Sequence, residues 1–162
     1  MQGRPNPALG ETQILSQPCA AKLEALRAWW DELRGGAVIP AKAQILPETI
    51  GSFLSHIQLM EVLDGGRDYR IRTFGSHWVE IVGWDFTGRL LSQTSNSRIY
   101  EKWSQIYGLV VQSGGPLSLT TNLNNLGRDF IKVEELLLPF SGSSNAVENI
   151  VAGIVPPPPQ LD

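Results

Sequence analysis

Between Ile57 and Val155 the hydrophobic period changes twice, from the alternation of a strand to the spacing of a helix and back again. Ile57–Leu63 and Asp68–Phe74 read as two strands joined by an Asp64-Gly65-Gly66 turn. In the second, Tyr69, Ile71 and Thr73 should face one way and Arg70, Arg72 and Phe74 the other. From Ser76, a good N-cap, Trp78, Ile81 and Val82 follow a helical spacing that Gly83 breaks. Asp85-Phe86-Thr87-Gly88 is turn chemistry. The longest periodic run comes next: Ile99, Tyr100, Trp103, Ile106, Tyr107, Val110 and Val111, stopped by Gly114-Gly115-Pro116. Three strands close the pattern, at Leu117–Leu123, at Phe130–Leu138 (ended by Pro139) and at Val147–Val155. Strands at both ends with helices grouped between them predict an α+β layer fold, an antiparallel sheet with helices on one face.

A further amphipathic helix precedes this unit. Leu23, Leu26, Trp29, Trp30 and Leu33 share one face of the segment 19–34, and Gly35-Gly36 stops it. Two readings of that face stand side by side. It packs on the domain's own core, or Leu26, Trp29, Trp30 and Leu33 form a dimer or partner surface, since interface cores favour Trp and exclude charge. Residues 36–55 carry Pro40 and Pro47 and predict a loop with one turn of helix after Pro47. Residues 1–18 predict a mobile arm whose one anchor is Ile14-Leu15, and 156–162 a Pro-rich extended tail. The organisation expected is therefore an arm (1–18), a helix (19–36), one domain (37–155) and a tail (156–162).

Composition removes several function classes. The chain has 162 residues, enough to bury about two-thirds of its unfolded surface without metal or disulfide. Its net charge is −3 and it has no basic block, so nucleic acid is not an expected partner. No apolar run reaches the length of a membrane span, and no signal-type segment opens the chain; a cytoplasmic protein is expected. The single Cys19 excludes an internal disulfide.

The motifs in order resemble those of a small stand-alone alphaproteobacterial family of PAS-like proteins in the PAS domain superfamily. They are Trp30-Asp31-Glu32-Leu33-Arg34-Gly35-Gly36 followed by Ile39-Pro40 and Pro47; Asp68-Tyr69-Arg70-Ile71-Arg72-Thr73-Phe74-Gly75; Gly83-Trp84-Asp85-Phe86-Thr87-Gly88-Arg89; and Leu136-Leu137-Leu138-Pro139-Phe140-Ser141. The resemblance spans residues 23–155. The family commonly carries Arg and Asp after Ile-Pro, where this chain has Ala41-Lys42-Ala43-Gln44, so no role of that pair carries over. The resemblance implies a five-stranded antiparallel sheet of order 2-1-5-4-3 around short helices. It also implies a sensing or interaction module in bacterial signal transduction.

Catalysis is not expected. There is no Gly-x-Ser-x-Gly elbow, no phosphate loop with its Lys, and no His/Asp/Glu set spaced for a metal. Cys19 precedes the domain, where a flavin-adduct cysteine has no place, and haem would need His56 or His77 as an axial ligand; the cofactor stays unknown. A cavity between sheet and short helices would be lined by Trp78, Ile81, Trp84, Phe86, Ile99, Trp103 and Phe130, with His77 as its polar group and a small apolar ligand as its occupant. The opposing reading is that these aromatics fill the space. With no effector segment after Val155, output is expected to pass to a second protein, a homodimer partner or an unidentified signalling protein.

Overall fold

The structure, a computed structural model, describes residues 12–94, 97–123 and 131–156. Among the described residues six antiparallel strands form one sheet: β1 (Gln13–Leu15), β2 (Ile57–Leu63), β3 (Asp68–Phe74), β4 (Leu117–Leu123), β5 (Ile131–Ser141) and β6 (Val147–Val155). They lie in the order β1-β4-β5-β6-β2-β3. Strands β2 to β6 have the order expected of a PAS-like sheet. The sixth strand corrects the expected count and comes from the arm: Gln13, Ile14 and Leu15 pair with Thr120, Leu119 and Ser118. Thr12 adds a hydroxyl contact to Thr121 at 2.8 Å. Phe130 and most of the Pro-rich tail lie outside the described residues.

Helices cover both faces of the sheet, not one. The reason is in β5 and β6, whose Leu136-Leu137-Leu138 and Ile150-Val151-Ala152 runs are apolar on both sides and so require two layers. On the outer side, α1 (Ala21–Arg34) sets Leu23, Leu26 and Trp30 against Leu136, Leu138, Phe140 and Val151. Gly153 lies directly beneath it: a Cβ there would stand 2.5 Å from Leu26 Cδ2 and 3.0 Å from Leu23 Cδ2. The short helix α2 (Pro47–Ile50) and the 3-10 turns at Lys42–Gln44 and Gly51–His56 complete this side. Leu26 and Trp30, one half of the expected partner surface, thus face the chain's own sheet. Trp29 and Leu33 stay half-buried, and Trp29 packs on Phe53 and Phe140.

On the inner side lie α3 (Ser76–Val82), α4 (Leu91–Thr94) and α5 (Ser97–Ser113). The N-cap of α3 is Gly75, not Ser76. Gly75 meets the carbonyl of Ser55 so closely that no side chain fits there. Two further departures from the sequence reading shape the inner face. Leu59 pairs with Thr73 while Met60 pairs with Ile71, so Arg72 is an extra residue in β3. That bulge turns Phe74 onto the same buried face as Tyr69 and Ile71. Strand β5 also continues through Pro139 to Ser141. Strand β4 has already ended where Leu117 meets Leu137, so the missing N–H of Pro139 costs no ladder bond. The Pro139 carbonyl instead accepts the Trp30 indole N–H at 2.8 Å.

Candidate functional site

One register row runs across five strands: Leu117, Leu137, Ala152, Gln58 and Phe74. Its β2–β3 end forms the floor of a cavity of ≈ 160 Å³ between the sheet and helices α3 to α5. Phe74 holds the aromatic wall together, with ring centroids 5.6 Å from Trp78 and 5.7 Å from Phe86. The Trp78 indole N–H donates to the Ala152 carbonyl at 3.2 Å, which fixes α3 against β6. Opposite stand Ile99 and Trp103 of α5, with the Lys102 ammonium 5.2 Å from the Trp103 ring and donating to the Asn122 carbonyl at 3.1 Å. Ile71, Val82, Leu91, Thr94, Tyr107, Asn122 and Leu123 also line the space.

Of the residues expected to line this space, Trp78, Phe86, Ile99 and Trp103 do so. Ile81 packs on the core beside it without reaching the cavity. Trp84 points away and is 61% exposed. His77 is not the polar group of the cavity. It stacks on His56, ring centroids 3.9 Å apart, on the flank where α3 meets the 3-10 turn at Gly51–His56. The polar group at the floor is Gln58, only 4% exposed. Its signal in the sequence is a single amide in the otherwise apolar opening of β2, Ile57-Gln58-Leu59-Met60. Phe74 could not be found from alternation, because the bulge at Arg72 reverses its face.

The family profile described as "PAS domain" matches residues 19–155, most of the chain. The chain belongs to the PAS domain family. A comparison with curated proteins gives no match. Among solved structures, an RNA-binding light-oxygen-voltage receptor is similar at TM-score 0.49 and 12% identity, over 73% of this chain and 36% of that one. The chain thus spans about a third of that receptor's length. The light-state LOV domain of Aureochrome1 is similar at TM-score 0.48 and 9% identity, over 70% of this chain and 89% of that one. A sensory box histidine kinase/response regulator from Burkholderia thailandensis E264 is similar at TM-score 0.43 and 10% identity, over 67% of this chain and 82% of that one. The PAS domain is typically a sensory module of signal transduction.

Two further groups of titratable side chains flank the cavity of this PAS domain. Glu135 points into the inner core from the centre of β5, between Leu119 and Ile154, with 1% exposure and no hydrogen bond to either oxygen. Burial pushes its carboxyl up to about 8, against a smaller opposing pull from Lys102. The nearby Tyr107 phenol is pushed well up by burial and by Glu135, and Tyr69, edge-on to Tyr107 at 5.1 Å, is raised by burial to about 12. On the flank, burial holds His56 below the ordinary imidazole range, with added positive charge from His77 and Lys22. The Lys22 Nζ lies 3.3 Å from the His56 ring, and Ser55 Oγ 3.0 Å from its Nδ1. Cys19 is exposed near the start of α1, across the sheet from the cavity. Among the described residues no group of three His, Cys, Asp or Glu is placed to hold a metal, and no helix is long and apolar enough to cross a membrane.

Proposed function

We propose that this PAS domain binds a small, mostly apolar molecule in the cavity under α3 and α5, and passes the change to a second protein by docking or dimerisation. It acts by binding, without turnover. The observation that carries the reading is the cavity itself. Phe74, Trp78, Phe86 and Trp103 surround the space without filling it, and a concave apolar site with few polar groups is the usual form of a ligand pocket. A route outward is at hand in β6. Ala152 bonds the Trp78 indole on the inner face, and its neighbour Gly153 carries Leu26 of α1 on the outer face. Displacement of Trp78 would therefore reach α1 through two adjacent residues and shift the balance between docked and released α1.

Native mass spectrometry of the protein purified from its source should show a retained small-molecule adduct. Hydrogen exchange in α1 should change when that adduct is removed. A bare protein mass, with no thermal shift across a metabolite panel, would overturn the reading. A second reading, docking alone, is favoured by Trp84. This residue is 61% exposed and lies two positions from each of the cavity residues Val82 and Phe86. Sedimentation that stays monomeric for both the wild type and Trp84→Ala would remove dimerisation through this loop.

A further inference from the structure

Gln58 is the polar residue at the floor of the cavity; Thr94, Lys102 and Asn122 are the polar residues of its walls. It sits at the floor, paired in register with Phe74 on one side and Ala152 on the other, both apolar and buried. At 4% exposure its side chain is almost wholly covered, and its carboxamide, which has no hydrogen-bond partner among the described residues, is not sealed in the core but borders the cavity. An amide held over a mostly apolar space is less favourable than Leu or Met of similar length unless something in that space bonds it. The residue lines the cavity, and a carboxamide carries two N–H donors and one acceptor oxygen. The walls facing it are aromatic: Phe74, Phe86, Trp78 and Trp103. A volume of ≈ 160 Å³ matches a single ring, since a dry cavity of about 150 Å³ admits benzene. The Lys102 ammonium is turned to the Asn122 carbonyl and the Trp103 face, and among the described residues no carboxylate lines the space. An organic cation would therefore be buried without a counter-charge.

We infer that the cavity takes an uncharged single-ring molecule bearing one amide-like group, with a donor and an acceptor side by side, paired to the carboxamide of Gln58. This rests on the cavity reading above and specifies its ligand class. Benzamide, toluene and benzoate serve as probes, titrated into the full chain and followed by the indole N–H signals of Trp78 and Trp103. Benzamide should bind about tenfold more tightly than toluene, a difference of about 1.4 kcal/mol. In Gln58→Leu and Gln58→Met that preference should vanish or reverse while toluene binding is kept, which also shows that each variant is folded. An unchanged benzamide-to-toluene ratio in both variants would overturn the inference, and so would benzoate displacing benzamide from the wild type. Toluene binding without a benzamide preference would sink the inference alone. Failure of every probe to bind the wild type at millimolar concentration would sink the cavity reading with it.

Discussion

The carboxylate of Glu134 on β5 accepts the main-chain N–H of Cys19 at 2.8 Å. The same carboxylate accepts the Ala20 amide at 3.2 Å, so both amides that lead into α1 are held by one sheet residue. Ala20, the N-cap of α1, has no side-chain acceptor of its own. The contact comes from a distant strand, and it ties the residues just before α1 to the sheet that the helix covers. Glu134→Ala should cost about 1–3 kcal/mol in chemical denaturation, the usual loss when hydrogen-bonded amides lose a charged acceptor. Hydrogen exchange should quicken first at the start of α1. Unchanged protection there would show that packing alone seats the helix.

Gly153 tests that packing. Alanine there would press on Leu26 Cδ2 at 2.5 Å and Leu23 Cδ2 at 3.0 Å. Gly153→Ala should destabilise by about 1–3 kcal/mol, the range for overpacking a filled core. Leu26→Ala should recover part of that loss when combined with it. A strictly additive double mutant would show that α1 does not rest on β6 at this point.

Glu135 sets the behaviour between pH 4.5 and about 8. Its carboxyl is raised from 4.5 to about 8 on folding, so the native state binds the proton more tightly than the unfolded chain. The resulting stability is complete below pH 4.5 and is lost as pH rises toward about 8. Within that window the slope should approach about 1.4 kcal/mol per pH unit. Glu135→Gln should flatten the profile, and Glu135→Leu should stabilise the protein most at the alkaline end. Melting curves from pH 5 to pH 9 that run parallel for wild type and Glu135→Gln would refute this assignment.

The histidine pair acts in the opposite direction. His56 is held below 6.5 by burial and by the charges of His77 and Lys22. The unfolded chain therefore takes up the proton first, and stability falls as pH drops below 6.5 through the folded value. The groups facing His56 are Lys22 from α1, Ser55 beside it and His77 from α3, whose own neighbour is Glu80 at 3.4 Å. His77→Gln should lessen the acid loss, read as a smaller drop in melting temperature between pH 7 and pH 5. An equal drop in both proteins would locate the acid sensitivity elsewhere.

Much of the sheet was legible because strands that bury one face must alternate. The run Ile57–Leu63, the turn at Asp64-Gly65-Gly66 and the helical spacing around Trp103 all reappear in the fold. The cavity was half legible. Trp78, Phe86, Ile99 and Trp103 were found because a helical or turn position beside apolar strands directs a bulky side chain inward. Trp84 broke that rule because its loop carries it out to solvent. His77 was misplaced because nothing local shows that His56 lies against it. Gln58 was missed because one amide in an apolar strand looks the same whether it faces solvent or a cavity.

The sequence by itself determined where the chain can be strand, where it must be helix, and that the helices fall between two groups of strands. Those properties depend on the period of apolar residues and on Gly and Pro, which act locally. Only the tertiary structure decided that α1 covers the chain's own sheet, that the arm adds a sixth strand, that a bulge at Arg72 turns Phe74 inward, and that Gln58 faces an open space. Each of these depends on contacts between segments far apart in the chain, and local spacing carries no record of which distant surface a side chain will meet.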